Sequence, residues 1–104
     1  MTMHQGRAVW EGSLTEGGGR MMLPDTGTDA MYSAKSRFEG GDGASPEAMI
    51  GAAHAGCFSQ QLANLLTGAG HQPASLQTDA EVELNKTETG FAITGITLRL
   101  NAKV

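Results

Sequence analysis

From Ala48 through Thr78 the chain carries no Asp, Glu, Lys or Arg. A helix opens just ahead of this stretch. Ser45 is a good N-cap, Pro46 suits the first helical position, and Glu47 places negative charge at the positive end of the dipole. Gly68 and Gly70 act as stop signals and Pro73 lies beyond, so the sequence predicts one helix from Pro46 to about Thr67. At about 1.5 Å per residue it is ~33 Å long, against a radius of gyration of ~13 Å for a compact domain of this size. It must cross the whole domain or extend past it. A helix with no charge on any face is normally buried all round. One sheet covers only one side of it, so the other side needs a partner.

The flanking segments have a shorter period. Arg7-Ala8-Val9-Trp10-Glu11 reads as a first strand ended by Gly12, Met21-Met22-Leu23 as a second stopped by Pro24, and Tyr32 to Phe38 as a third closed by Gly40-Gly41-Asp42-Gly43. Gly17-Gly18-Gly19 lacks the Lys-Ser/Thr ending and spacing of a phosphate loop and is expected to be a turn between strands. After Pro73 the period becomes two. Leu76, Thr78, Ala80, Val82 and Leu84 fall on one face, with Gln77, Asp79, Glu81, Glu83 and Asn85 on the other, a half-buried strand. Phe91 and Ile93 begin the return strand, and the phase slips at Gly95, because Ile96, Leu98, Leu100, Ala102 and Val104 continue on the opposite parity. A glycine at a phase slip suggests a β-bulge. Arg99 and Lys103 are then expected opposite Glu81 or Glu83. The order is βββ-α-ββ, an α+β domain in which a mixed or antiparallel sheet packs on a buried central helix.

The 104 residues make one domain, with 7 basic and 11 acidic residues and a formal net charge of −4. No basic cluster is present, so nucleic acid and anionic membrane are not expected partners. The N-terminus lacks the apolar core of a signal peptide and no run is long enough to span a bilayer. A single cysteine forms no intrachain disulfide, which points to a reducing cytoplasm.

That cysteine sits in Ser45-Pro46-Glu47-Ala48-Met49-Ile50-Gly51-Ala52-Ala53-His54-Ala55-Gly56-Cys57-Phe58-Ser59. Together with Arg37-Phe38-Glu39-Gly40 upstream and Gly90-Phe91-Ala92-Ile93-Thr94 downstream, it resembles the OsmC/Ohr family of thiol peroxidases over essentially the whole chain. The Arg-Phe-Glu-Gly loop resembles the OsmC branch more than the organic hydroperoxide resistance branch. The resemblance implies an intertwined homodimer that reduces organic hydroperoxides and, less well, hydrogen peroxide. In such proteins the first of two cysteines attacks the peroxide, assisted by an arginine and a glutamate, and the second resolves the product as a disulfide. It also implies a single OsmC-like domain, 1–104, that stops before the family's last two helices, final strand and second cysteine.

By that resemblance Cys57 is the peroxidatic residue. The chemistry needs a thiolate that attacks the outer peroxide oxygen and becomes a sulfenic acid. A thiol of ordinary pKa, ~8.5, is about 3% ionised at pH 7, so full ionisation raises the rate no more than ~30-fold. The larger part of the catalysis must come from groups that hold the peroxide and stabilise the leaving oxygen. Arg37 is the best candidate, because it stays charged, favours the thiolate and can donate to both oxygens. Arg20 is its rival. Glu47 corresponds to the glutamate that orients the arginine through a fork-type pair, a role compatible with compensating the helix dipole.

Glu47 and Cys57 are ten residues apart, ~15 Å on a continuous helix. A break near Gly51 or Gly56, or a partner subunit, would be needed to bring them into one pocket, and a site at the dimer interface is expected. His54, one turn before Cys57, is read as a packed or hydrogen-bonded helix residue; no metal or cofactor is expected. The chain is thus expected to be a cytoplasmic homodimeric peroxidase reduced by a small or protein dithiol. The alternative is a non-catalytic dimer whose buried cysteine is structural or redox-sensing.

Overall fold

The computed structural model describes residues 1–104, which form two compact units, Met1–Pro46 and Glu47–Val104. In the first, β1 (Arg7–Glu11), β2 (Gly18–Leu23) and β3 (Thr28–Tyr32) pair antiparallel in the order β1-β2-β3. A short helix, α1 (Ala34–Phe38), follows them. The long helix α2 (Pro46–Gly68) leads into the second unit, where β4 (Ser75–Thr87) and β5 (Gly90–Lys103) form one antiparallel hairpin. The fold is α+β with antiparallel sheets, as the βββ-α-ββ pattern predicts, with α1 added. No helix is long and apolar enough to cross a membrane.

The glycine run owes its composition to sterics. Gly17 closes the turn by donating its N–H to the Ser13 carbonyl at 2.8 Å. A Cβ there would lie 2.3 Å from the Glu11 carbonyl oxygen, so no side chain fits. Gly18 and Gly19 are already in β2. Gly19 stands in register between Trp10 on β1 and Tyr32 on β3. A Cβ on Gly19 would come within 2.6 Å of Tyr32 Cε1 and 2.8 Å of Trp10 Cε3. The two rings therefore meet over a position with no side chain, centroids 5.5 Å apart and planes inclined at 59°. Trp10 Nε1 is satisfied by the Gly12 carbonyl at 3.0 Å.

The third strand differs from expectation. It runs over Thr28–Tyr32, and Ser33 to Phe38 is not strand but the cap and body of α1. Ala34-Lys35-Ser36-Arg37 contains no β-branched residue and three good helix formers. Ser33, extended at φ −150° and ψ 172°, closes a capping box with Ser36. Local capping thus overrides the apparent alternation of Tyr32, Ala34, Ser36 and Phe38.

In the hairpin, the face carrying Leu76, Thr78, Ala80, Val82 and Leu84 is half-buried and its alternate residues are exposed. Leu84 pairs with Ile93 and Glu83 with Gly95, which leaves Thr94 as the extra residue of a bulge. The bulge keeps Ile93, Ile96, Leu98 and Leu100 on one face despite their parity change. Thr94 Oγ1 donates to Glu83 Oε1 at 2.7 Å and accepts from Asn85 Nδ2 at 2.8 Å. Arg99 bonds Glu81 across the exposed face, a contact worth only tenths of a kcal/mol (about 0.2–1) in water.

The helix meets this hairpin along one stripe. Glu47, Gly51 and Ala55 are buried, and Ser59, Leu62 and Leu66 continue the same face half-buried. Ser59 Oγ bonds Thr78 Oγ1 at 2.6 Å, and a Cβ on Gly51 would lie 2.9 Å from Val82 Cγ2 and 3.2 Å from Ala80 Cβ. Apart from the half-buried Pro46 and Ala63, the rest of the helix is exposed, including Met49, Ile50, Phe58 and Leu65. One sheet covers one side, and no large side chain anywhere in the chain is fully buried.

Gly51→Ala should test the stripe. Alanine gains about 1 kcal/mol of helix propensity, but overpacking costs about 1–3 kcal/mol, so the net change should be a loss of up to about 2 kcal/mol. In a Val82→Ala background the same substitution should cost less, because the nearest conflicting atom is gone. Denaturant unfolding measures both, and an equal cost in the two backgrounds would place the constraint elsewhere.

Candidate active site

Cys57 lies near the middle of α2 and is exposed. At about 100° per residue it is about 160° around the helix from Ala55, so it faces away from the hairpin. Ile50, Ala53, Gln61 and Asn64 share its face. The hairpin therefore positions the thiol without enclosing it. His54 is exposed one turn earlier, and no third His, Cys, Asp or Glu converges on the pair to make a metal cluster.

Glu47 occupies the first turn of α2 and is 7% exposed, on the stripe that faces the hairpin. The helix runs unbroken from Pro46 to Gly68, through both Gly51 and Gly56. The kink that would bring Glu47 toward Cys57 is not there, because neither glycine interrupts the backbone ladder. Ten residues of regular helix keep the two about 15 Å apart along the axis. One chain does not bring them together.

Arg37 belongs to the first unit, in the last turn of α1. Its guanidinium carbon sits 4.9 Å from the centroid of the Phe38 ring, a cation–π contact. It lines a recess of about 290 Å³ with Trp10, Leu14, Tyr32 and Phe38. The recess is thus apolar and aromatic with one cation at its wall. Arg20, the rival arginine, is in register with Val9 and Met31, on the opposite sheet face from Trp10, Gly19 and Tyr32. Its guanidinium is bonded to Asp29, and that hydrogen bond, with the charge behind it, holds the Asp29 carboxyl below its usual range.

Trp10, Tyr32 and Ser36 were not singled out by sequence. Trp10 and Tyr32 are the only tryptophan and tyrosine, and their convergence on Gly19 follows once the strands are put in register. The Ser33-x-x-Ser36 spacing is a capping-box pattern with serine in place of the usual Glu or Gln, a weaker signal.

Comparison with known proteins agrees with this architecture. The family model described as OsmC-like protein matches residues 39–104. Over the full length the chain is 43% identical to peroxiredoxin OsmC of Escherichia coli (strain K12) and of Shigella flexneri, spanning 74% of each relative. Its structure matches the organic hydroperoxide resistance protein OhrB of Bacillus subtilis with a TM-score of 0.70 and 25% identity, over 95% of this chain and 72% of that one. The α+β fold with its antiparallel sheets is therefore shared with that protein, and the chain belongs to the OsmC family.

Proposed function

We propose that the chain is a cysteine-based peroxidase of organic hydroperoxides, acting as a homodimer in a reducing compartment such as the cytoplasm. The exposure of Cys57, the only thiol, on the open face of α2 is the observation that carries this reading. The Cys57 thiolate attacks the outer oxygen of the peroxide. The O–O bond breaks, the sulfur loses two electrons and becomes a sulfenic acid, and the inner oxygen takes a proton and leaves as an alcohol. Arg37 donates to the peroxide oxygens and stabilises the negative charge on the leaving one. Glu47 aims Arg37. The apolar recess at Arg37 suits a peroxide with a hydrocarbon tail, and less well hydrogen peroxide, which has none. A small or protein dithiol returns the sulfenic acid to thiol, releasing water and becoming a disulfide.

The separation of Glu47 from Cys57 on an unbroken helix supports a site assembled across two chains, with Arg37 of one subunit serving the partner's Cys57. The exposed Ile50, Phe58 and Leu65 of α2, and Phe91 and Ile93 of β5, supply the apolar surface such a dimer would cover.

Stopped-flow mixing with cumene hydroperoxide should show fast thiol loss that Cys57→Ser abolishes. Arg37→Ala should lower the rate by more than the ~30-fold that ionisation explains. Glu47→Ala should lose less, and the double variant should be little worse than Arg37→Ala alone. A wild-type rate no faster than a free small thiol would sink the peroxidase reading.

Refolding Cys57→Ser together with Arg37→Ala tests the shared site. Random assortment makes half the dimers mixed, each with one intact site, so about a quarter of the wild-type reactive sites should return. No recovery from a verified mixed dimer would place Arg37 and Cys57 of one site in the same chain.

Repeated peroxide without reductant should drive Cys57 of this 104-residue chain to sulfinic acid, since it holds no second thiol to trap the intermediate. Intact mass would show a gain of two oxygens. A sulfenic acid, or a Cys57–Cys57 disulfide between two chains, that persists under excess peroxide with no such gain would reveal another route of resolution.

A further inference from the structure

We infer that Ser36 is a positioning residue for Arg37, its hydroxyl tying the helix that carries the arginine to the loop leading into α2. The inference rests on the reading of Arg37 as the peroxide-binding group. It starts from the shortness of α1, five residues, which is far below the length at which a helix holds itself together. Something outside the helix must fix it.

Ser36 is 8% exposed and its Oγ is the centre of a small network. It accepts from the Ser33 N–H at 2.8 Å, while the Ser36 N–H donates to Ser33 Oγ at 3.0 Å. A serine hydroxyl has a single proton to give. Two carbonyls are within reach, Ser33 O at 3.1 Å and Ala44 O at 2.7 Å, and the shorter contact takes it. Ala44 is held from its other side, its N–H donating to Met31 O at 2.8 Å in a bridge between Tyr32 and Ala44. Gly43, at φ 113°, lets the loop run against this junction, for a Cβ there would meet Met31 O at 3.0 Å and Ser36 Cβ at 3.4 Å.

One hydroxyl therefore joins the cap of α1, the body of α1 and the loop after it. Arg37 is the next residue, and its own N–H returns to Ser33 O at 3.1 Å. Removing the hydroxyl leaves a backbone donor at Ser33 and an acceptor at Ala44, both half-buried, without this partner. The chain can satisfy them only by admitting water or turning α1, and either moves the guanidinium. A displacement of about 1 Å in a group that holds a reactant can cost on the order of 100-fold in rate.

The test is the rate of Cys57 oxidation by cumene hydroperoxide, beside its alkylation by iodoacetamide, which needs no group to hold a peroxide. Ser36→Ala should slow oxidation about 10–100-fold and slow alkylation, which senses only the loss of thiolate, by clearly less. Ser36→Thr, which keeps the hydroxyl, should retain most of the rate. In an Arg37→Ala background Ser36→Ala should cost less than about twofold more, because both act through one group. A full loss by Arg37→Ala with none by Ser36→Ala would overturn the inference alone. So would a Ser36→Ala loss of equal size in both backgrounds, the mark of general damage. No loss by Arg37→Ala overturns the reading of Arg37, and the role of Ser36 falls with it. Should Ser36→Ala show no cooperative melt, Ser36→Cys, whose thiol is a weak donor and acceptor, should slow oxidation of Cys57 as read by peptide mass, again only when Arg37 is present. An unchanged Cys57 rate in Ser36→Cys would overturn the inference.

Discussion

The close approach of α2 to the β4–β5 hairpin is the contact on which the rest of the structure depends. It needs small residues, and Gly51 and Ala55 provide them at helical spacing, with Val82 and Ala80 immediately opposite. The stripe fixes the rotation of the helix. Once Gly51 and Ala55 face the hairpin, Cys57 must face the other way, because two residues of helix are more than half a turn. The exposure of the thiol is thus a consequence of packing elsewhere on the same helix. So is the open apolar flank, since a helix with no charged face has been given only one sheet to lie on.

Much of this was legible in the sequence. The two-residue alternation of Leu76 to Leu84 and the parity change beyond Gly95 each leave a mark that needs no tertiary information, and both survive in the hairpin and its bulge. The helix ends follow from Ser45-Pro46-Glu47 at one side and Gly68 at the other. The stretch from Ser33 to Phe38 was misread because alternation and a short capped helix produce the same apolar spacing over so few residues. Only the hydrogen bonds of Ser33 and Ser36 decide between them: the box between the two serines is a weak signal in sequence, and the bond from Ser36 to Ala44 joins residues that no local rule connects.

The candidate site was legible in part. Cys57 and Glu47 could be placed on one helix, and their separation computed, but whether that helix bends at Gly51 or Gly56 could not be read from glycine alone. Gly51 is there for the neighbour it touches, whereas nothing of this chain lies near Gly56. The recess beside Arg37 was invisible for a different reason. Trp10 and Leu14 are far in sequence from Tyr32 and Phe38, and Trp10 meets Tyr32 because Gly19 leaves its face of the middle strand empty.

The pairing of Trp10 with Tyr32 has an optical consequence. They are the chain's only tryptophan and tyrosine, and both belong to the three-stranded sheet, so the hairpin unit contributes no such chromophore of its own. Light absorbed by Tyr32 passes to an indole 5.5 Å away, and tyrosine emission stays quenched for as long as the two rings meet over Gly19. Its return on denaturation signals the parting of the sheet, while circular dichroism in the far ultraviolet follows mainly α2. The chain thus reports the melting of its sheet and of its long helix through separate signals, with no label attached.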